Sequence, residues 1–121
     1  MTPLEAVRNR IADFSDKQFG KNRPFTAPLH HMKKEIKEAI DSGELEEFAD
    51  ILLLLLDSFR KRYPRAHTDK LLRAALRKIN VCKKRKWGKP DKNGVFEHIR
   101  RKNEKQTKRN QCRRHTVCLG N

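Results

Sequence analysis

No stretch of this 121-residue chain is apolar enough to cross a bilayer. The longest apolar run, residues 51–56, falls far short of the roughly 20 residues that a spanning helix needs. No N-terminal segment has the apolar stretch of a secretory signal, so a protein of the cytoplasm with no membrane partner is expected. Cysteine is scarce: three residues, an odd number with no disulfide framework, which fits a reducing compartment. Cys112-x-x-His115-x-x-Cys118 offers three metal-capable side chains but lacks a fourth ligand and the usual zinc spacing, so zinc is not expected there. Strand-like alternation and internal repeats are both missing, which leaves an all-α fold. Only 36% of the residues are apolar against 37% charged, so a bundle of amphipathic helices sharing a core with a second subunit is expected, as a homodimer or homotetramer.

Acidic residues are unevenly distributed. Residues 1–81 carry 16 Lys and Arg against 12 Asp and Glu, a balance of +4. Residues 82–121 carry 14 against 3, a balance of +11, so most of the net charge of +15 sits in the C-terminal third. Beyond about Ile99 few large apolar residues remain, and the expected organisation is a helical domain over residues 1–98 followed by a basic tail over 99–121. Such a tail is either solvated or in contact with phosphates of a nucleotide or of nucleic acid.

What the chain does contain is helical periodicity. Thr2 and Pro3 are start signals, Leu4, Val7, Ile11 and Phe14 follow at helical spacing, and Gly20 is a stop, which predicts a helix from Pro3 to about Phe19. Residues 20–28 read as a loop, and a second helix runs from about Leu29 to Asp41. A third, from about Glu44 to Tyr63, is apolar nearly all round through residues 51–56 and is expected to be the most buried element. Pro64 closes it, and Thr68 caps a fourth helix over about Asp69 to Lys86.

Four carboxylates stand out at two matched spacings, Glu35-x-x-Glu38 and Glu47-x-x-Asp50. A helix turns about 100° per residue, so residues three apart point the same way and each pair forms a two-pronged acidic claw. If the turn at residues 41–43 folds the helices antiparallel, the claws face each other and make a nest of oxygen ligands for a hard cation, Mg²⁺ or Mn²⁺. Asp57, two turns beyond Asp50, is either an additional metal group or a partner of Arg60 or Lys61. Lys78 and Arg85, seven apart, together with Lys86, are the natural phosphate ligands, and Arg85 can offer a bidentate fork. Gln18, Phe19, His31 and Trp87 have the stacking surfaces and hydrogen-bonding groups that recognise a base or sugar.

The two claws on adjacent helices resemble the all-α nucleoside triphosphate pyrophosphohydrolases, the MazG-like superfamily, whose relatives include dimeric dUTPases and dCTP pyrophosphatases. Further likeness runs through residues 14–20, 31–35 and 45–50, through Asp57, and through Lys78 with residues 85–87 and 97–98. These segments are similar to the phage and prophage branch of dATP/dGTP diphosphohydrolases, which includes MazZ-type enzymes that serve 2-aminoadenine DNA. The resemblance implies hydrolysis of a purine deoxynucleoside triphosphate, dGTP first and dATP second, to monophosphate and pyrophosphate. It also implies two or three Mg²⁺ or Mn²⁺ ions on Glu35, Glu38, Glu47 and Asp50, and the cytoplasm of a host cell if the chain is phage-encoded. Glu38, with Glu35 beside it, is the expected acceptor of the attacking water's proton. Cys82 stands where relatives have an asparagine. The rival expectation is a basic phage regulatory protein that binds nucleic acid, which explains the charge skew but not the acidic claws.

Overall fold

A computed structural model of the chain describes residues 1–100; the expectations for the tail beyond Arg100 and for Cys112, His115 and Cys118 lie outside the described residues. It contains four helices: α1 over Pro3–Phe19, α2 over Thr26–Ser42, α3 over Leu45–Arg62 and α4 over Thr68–Lys84. The all-α expectation holds. Among the described residues the sole β feature is an isolated antiparallel bridge between Trp87 and His98.

Local chemistry explains the boundaries. Thr2 caps α1 by accepting the Glu5 N–H at 3.2 Å, and Pro3 fills the first helical position, where no donor is needed. Gly20, at φ +91°, ends α1 and donates its N–H to the Asp16 carbonyl. Gly43 takes the left-handed conformation at φ +67° and closes α2 onto the Ala39 carbonyl, so α3 begins two residues later. α3 carries Glu46 and Glu47 in its first turn and Arg60, Lys61 and Arg62 in its last, each complementing the helix dipole. α2 starts three residues earlier than its spacing predicts. The spacing places Pro28 in the loop, but a proline lacks only a donor that the first helical turn leaves unused, and here it is buried inside that turn. At the far end α4 stops at Lys84, two residues short of the sequence-based boundary.

The chain divides into two units, residues 1–75 and residues 76 onward. In the first, α3 packs against both α2 and α1. Ser58 Oγ donates to the Phe25 carbonyl at 2.7 Å, and Glu5 on α1 reaches the start of α4 by accepting both the N–H of Thr68 (2.9 Å) and its hydroxyl (3.1 Å). Leu56 is the sole large apolar side chain classed as buried among the described residues; the other buried groups include Ser15, Asp57, Ser58 and Thr68. α3 is expected from its sequence to be the most buried helix, and it holds three of the buried residues, Leu56, Asp57 and Ser58, while Leu52 and Leu55 remain exposed on one side.

The second unit holds the rest of α4 and a hairpin-like loop. Gly88 donates to the Glu97 carbonyl at 2.9 Å and Ile99 to the Lys86 carbonyl at 2.7 Å. Asp91 shapes the tip: its carboxylate accepts the N–H groups of Asn93 (2.8 Å) and Val95 (3.0 Å), and Gly94 supplies the positive φ that the turn requires.

Candidate active site

The short connection through Gly43 brings the C-terminal half of α2 beside the N-terminal half of α3. One carboxylate oxygen from each of Glu35, Glu47 and Asp50 lies within 4.8 Å of the others. Glu38, three residues on from Glu35 and so on the same face of α2, stands beside this group, and its charge acts on both Glu35 and Glu47. Two residue pairs separated by eight positions in sequence thus form one cluster.

Like charges gathered this closely resist full ionisation. The hydrogen bond to Glu38 raises the Glu35 carboxyl above the usual carboxylate range, with burial and the charges of Glu38 and Asp50 adding to the effect and His31 opposing it. Glu47 is raised first by burial and then by Glu38, Glu35 and Asp50. One Glu47 oxygen, Oε2, is buried with no hydrogen-bond partner. A buried carboxylate oxygen with no donor, on a side chain of this cluster, is an acceptor that a hard cation could satisfy. His31 Nε2 stands 3.2 Å from Glu35 Oε1, at the edge of the same stripe.

Asp57 is treated differently. Its Oδ2 accepts from Ser15 Oγ at 2.9 Å and from Arg23 at 3.3 Å, while Oδ1 accepts Arg60 Nε at 2.8 Å. Arg23 also contacts Ser15 Oγ directly, and Arg60 forks onto both oxygens of Asp16 at 2.9 and 3.1 Å. Of the two roles open to Asp57 from sequence, the pairing with Arg60 is therefore present, and protein groups occupy both of its oxygens. Nothing in the sequence points to Ser15, Asp16 and Arg23 for this network, because Asp57 lies 42 residues from Ser15 and 34 from Arg23.

The remaining candidates fall into two groups. Gln18 and Phe19 are exposed in the last turn of α1, where Phe19 meets Phe14 edge to face and the Arg23 guanidinium lies 5.0 Å from the Phe19 ring centre. Lys78, Arg85, Lys86 and Trp87 all belong to the second unit. There Lys78 and Lys86 are exposed, Arg85 reaches His98 Nδ1 at 3.4 Å, and the Trp87 indole donates to the Cys82 carbonyl at 3.0 Å.

Comparisons with known proteins bear on the family and the fold. Curated proteins return no match. Among solved structures, the chain resembles a cyanophage S-2L MazG-like pyrophosphohydrolase bound to dGDP and three catalytic Mn²⁺ ions per active site. The TM-score is 0.62 at 23% identity, covering 83% of this chain and 96% of that one, a likeness of fold. The family model for dATP/dGTP pyrophosphohydrolase matches residues 7–105, most of the chain. The chain therefore belongs to the dATP/dGTP pyrophosphohydrolase family, with a MazG-like all-α fold, and is a hydrolase acting on nucleoside triphosphates.

Proposed function

We propose that this protein cleaves a purine deoxynucleoside triphosphate, dGTP in preference to dATP, between the α- and β-phosphates, releasing monophosphate and pyrophosphate. The observation that carries this reading is the convergence of Glu35, Glu47 and Asp50 within 4.8 Å, together with the unpartnered buried oxygen of Glu47. That donor set fits Mg²⁺ or Mn²⁺ held by Glu35, Glu38, Glu47 and Asp50. Bound cations supply the positive charge that offsets the triphosphate and acidify a water for attack on the α-phosphorus. The dGDP and three Mn²⁺ ions of the cyanophage structure support both the substrate class and the metal. A supply role in 2-aminoadenine DNA is part of the same reading.

The chain's own residues divide the remaining work. Glu38, exposed at the rim of the cluster, accepts the proton of the attacking water as the bond to the bridging oxygen breaks and pyrophosphate leaves. Arg85 presents a planar fork to phosphate oxygens, with Lys78 and Lys86 as point charges. Gln18, Phe19, His31 and Trp87 hold the base and sugar. Asp57 acts by fixing α3 against α1 and the loop that carries Arg23. The helical domain of residues 1–98 is the catalytic body and residues 99–121 its basic extension.

The same reading includes a homodimer or homotetramer in the cytoplasm. Ile36 and Ile40 on α2, and Phe48, Leu52 and Leu55 on α3, are exposed at helical spacing. Covering such half-exposed side chains is worth on the order of 1 kcal/mol each, which a second copy can recover. Incubating the protein with each dNTP and Mn²⁺, with and without chelator, and separating the products tests the proposal. Pyrophosphate and dGMP that disappear with chelator are expected; diphosphate products, or turnover indifferent to chelator, would overturn it.

A further inference from the structure

The second unit carries more positive charge than a single nucleotide can use. Residues 76–100 hold nine Lys and Arg against two carboxylates, Asp91 and Glu97. The hydrolytic reading employs three of the nine. Arg77, Lys83, Lys84, Lys89, Lys92 and Arg100 are left over, and none of the six makes an ion pair or side-chain hydrogen bond among the described residues. The Asp91 carboxylate is turned into its own loop by two backbone N–H groups, so it is poorly placed to neutralise a neighbouring lysine.

Among these cations lies an aromatic ring that is fixed and yet open. The Trp87 indole N–H is tied to the Cys82 carbonyl at 3.0 Å, and the ring meets His98 edge to face at 6.0 Å, across the bridge that joins the two arms of the hairpin. Even so, Trp87 is 44% exposed. An isolated indole on a surface is unremarkable, but one whose polar edge is satisfied, whose orientation is set and whose surroundings are cationic has the composition of a stacking platform for an unpaired base. Phosphates spaced along a strand would meet the surplus lysines.

We propose that residues 76–100 bind single-stranded nucleic acid through backbone contacts from Lys83, Lys84, Lys89 and Lys92 and stacking on Trp87, a function additional to hydrolysis that shares Trp87 with the proposed base-binding group and needs no metal at the acidic cluster. A duplex has its bases stacked inside and offers nothing to the indole. Single strands therefore bind more tightly than duplexes at equal length. Seven further Lys and Arg against one carboxylate in residues 101–121 add charge of the same sign.

Trp87 is the chain's one tryptophan, so its fluorescence reports from the site itself. The full chain is titrated in chelator with oligothymidylate, oligouridylate, a DNA duplex of equal length and anionic phospholipid vesicles, at several salt concentrations. Quenching by both single strands is expected, with an affinity falling at a log–log slope of about −0.7 per phosphate neutralised. Replacing the four lysines together (K83E, K84E, K89E, K92E) is expected to weaken that binding by at least about tenfold, while dGTP hydrolysis and helical circular dichroism stay near wild type. No quenching by either strand overturns the proposal, as do equal binding of duplex and single strand, a response confined to vesicles, or undiminished affinity in the fourfold variant. Absence of dGTP hydrolysis in the wild-type chain, with strand binding present, would instead fall on the hydrolytic reading.

Discussion

α3 carries two sets of carboxylates in opposite circumstances. At its N-terminal end Glu47 and Asp50 sit among other acids, with a buried oxygen left without a donor. Two turns on, Asp57 is more deeply buried and has both oxygens occupied by Ser15, Arg23 and Arg60. A buried charge with its partners in place ties elements together, because removing one member strands the others. Acids assembled without partners repel one another, and a bound cation relieves that repulsion. On the proposed function the first arrangement serves chemistry and the second architecture, and substitutions at the two places should separate turnover from stability.

The largest effect is expected at the unpaired end. Asp50→Asn removes one ligand charge and should lower dGTP turnover on the order of a thousandfold or more, since each tenfold corresponds to only about 1.4 kcal/mol of transition-state stabilisation. Its melting temperature without metal should stay level or rise, because a repulsive charge is gone. Adding Mn²⁺ should raise the melting temperature of the wild type and leave that of the variant nearly unchanged. A variant that melts well below wild type without metal would mean that Asp50 belongs with the architectural acids.

Asp57→Ala makes the opposite cut. It strands Arg23 and Arg60 without their shared acceptor and should cost about 3–5 kcal/mol in urea unfolding. The fraction that remains folded should keep most of its turnover at low temperature. A loss of turnover with stability intact would move Asp57 to the metal cluster.

Acidity sharpens the contrast further. Arg60 hydrogen bonds hold the Asp16 carboxyl below its ordinary 3.8, and the Thr68 backbone N–H holds that of Glu5 below its ordinary 4.5. Because both folded values are depressed, the stability they contribute is complete above the ordinary values and is lost as pH falls through the folded ones. Thermal melts in chelator should therefore drop as pH is lowered below about 4.5. Arg60→Gln should flatten the Asp16 part of that slope, and an unchanged slope would remove Arg60 as its cause.

These residues also mark how far the sequence could be read. Gly20, Gly43 and Pro64 end their helices close to where their conformational preferences place them, and the claw spacing matches the grouping of Glu35, Glu47 and Asp50, because all of that information is local. Pro28 misled for a local reason: proline is common both in loops and in first turns. The partners of Asp57 were hidden for a different one. Arg23 lies in a loop whose course depends on α1 and α3 packing together, and nothing in its neighbours along the chain points to α3. The exposure of Leu52 and Leu55 was equally invisible, since an apolar run tells which residues seek cover but not which chain provides it.

The smallest expected effect serves as the calibration for the others. Lys37 and Asp41 form an ion pair at 3.3 Å on α2, one turn apart, with side chains 78% and 64% exposed. Its nominal geometry matches the Arg23–Asp57 pair, which is also 3.3 Å long. Distance alone would assign the two the same worth. Solvent screening and the entropy of holding two mobile side chains argue otherwise, and Lys37→Ala should change unfolding free energy by no more than about 0.5 kcal/mol. Measured beside Asp57→Ala under one set of conditions, it isolates burial as the variable. If the two substitutions cost the same, desolvation is not what gives the Asp57 network its strength, and the division of α3 into a chemical end and an architectural end loses its physical basis.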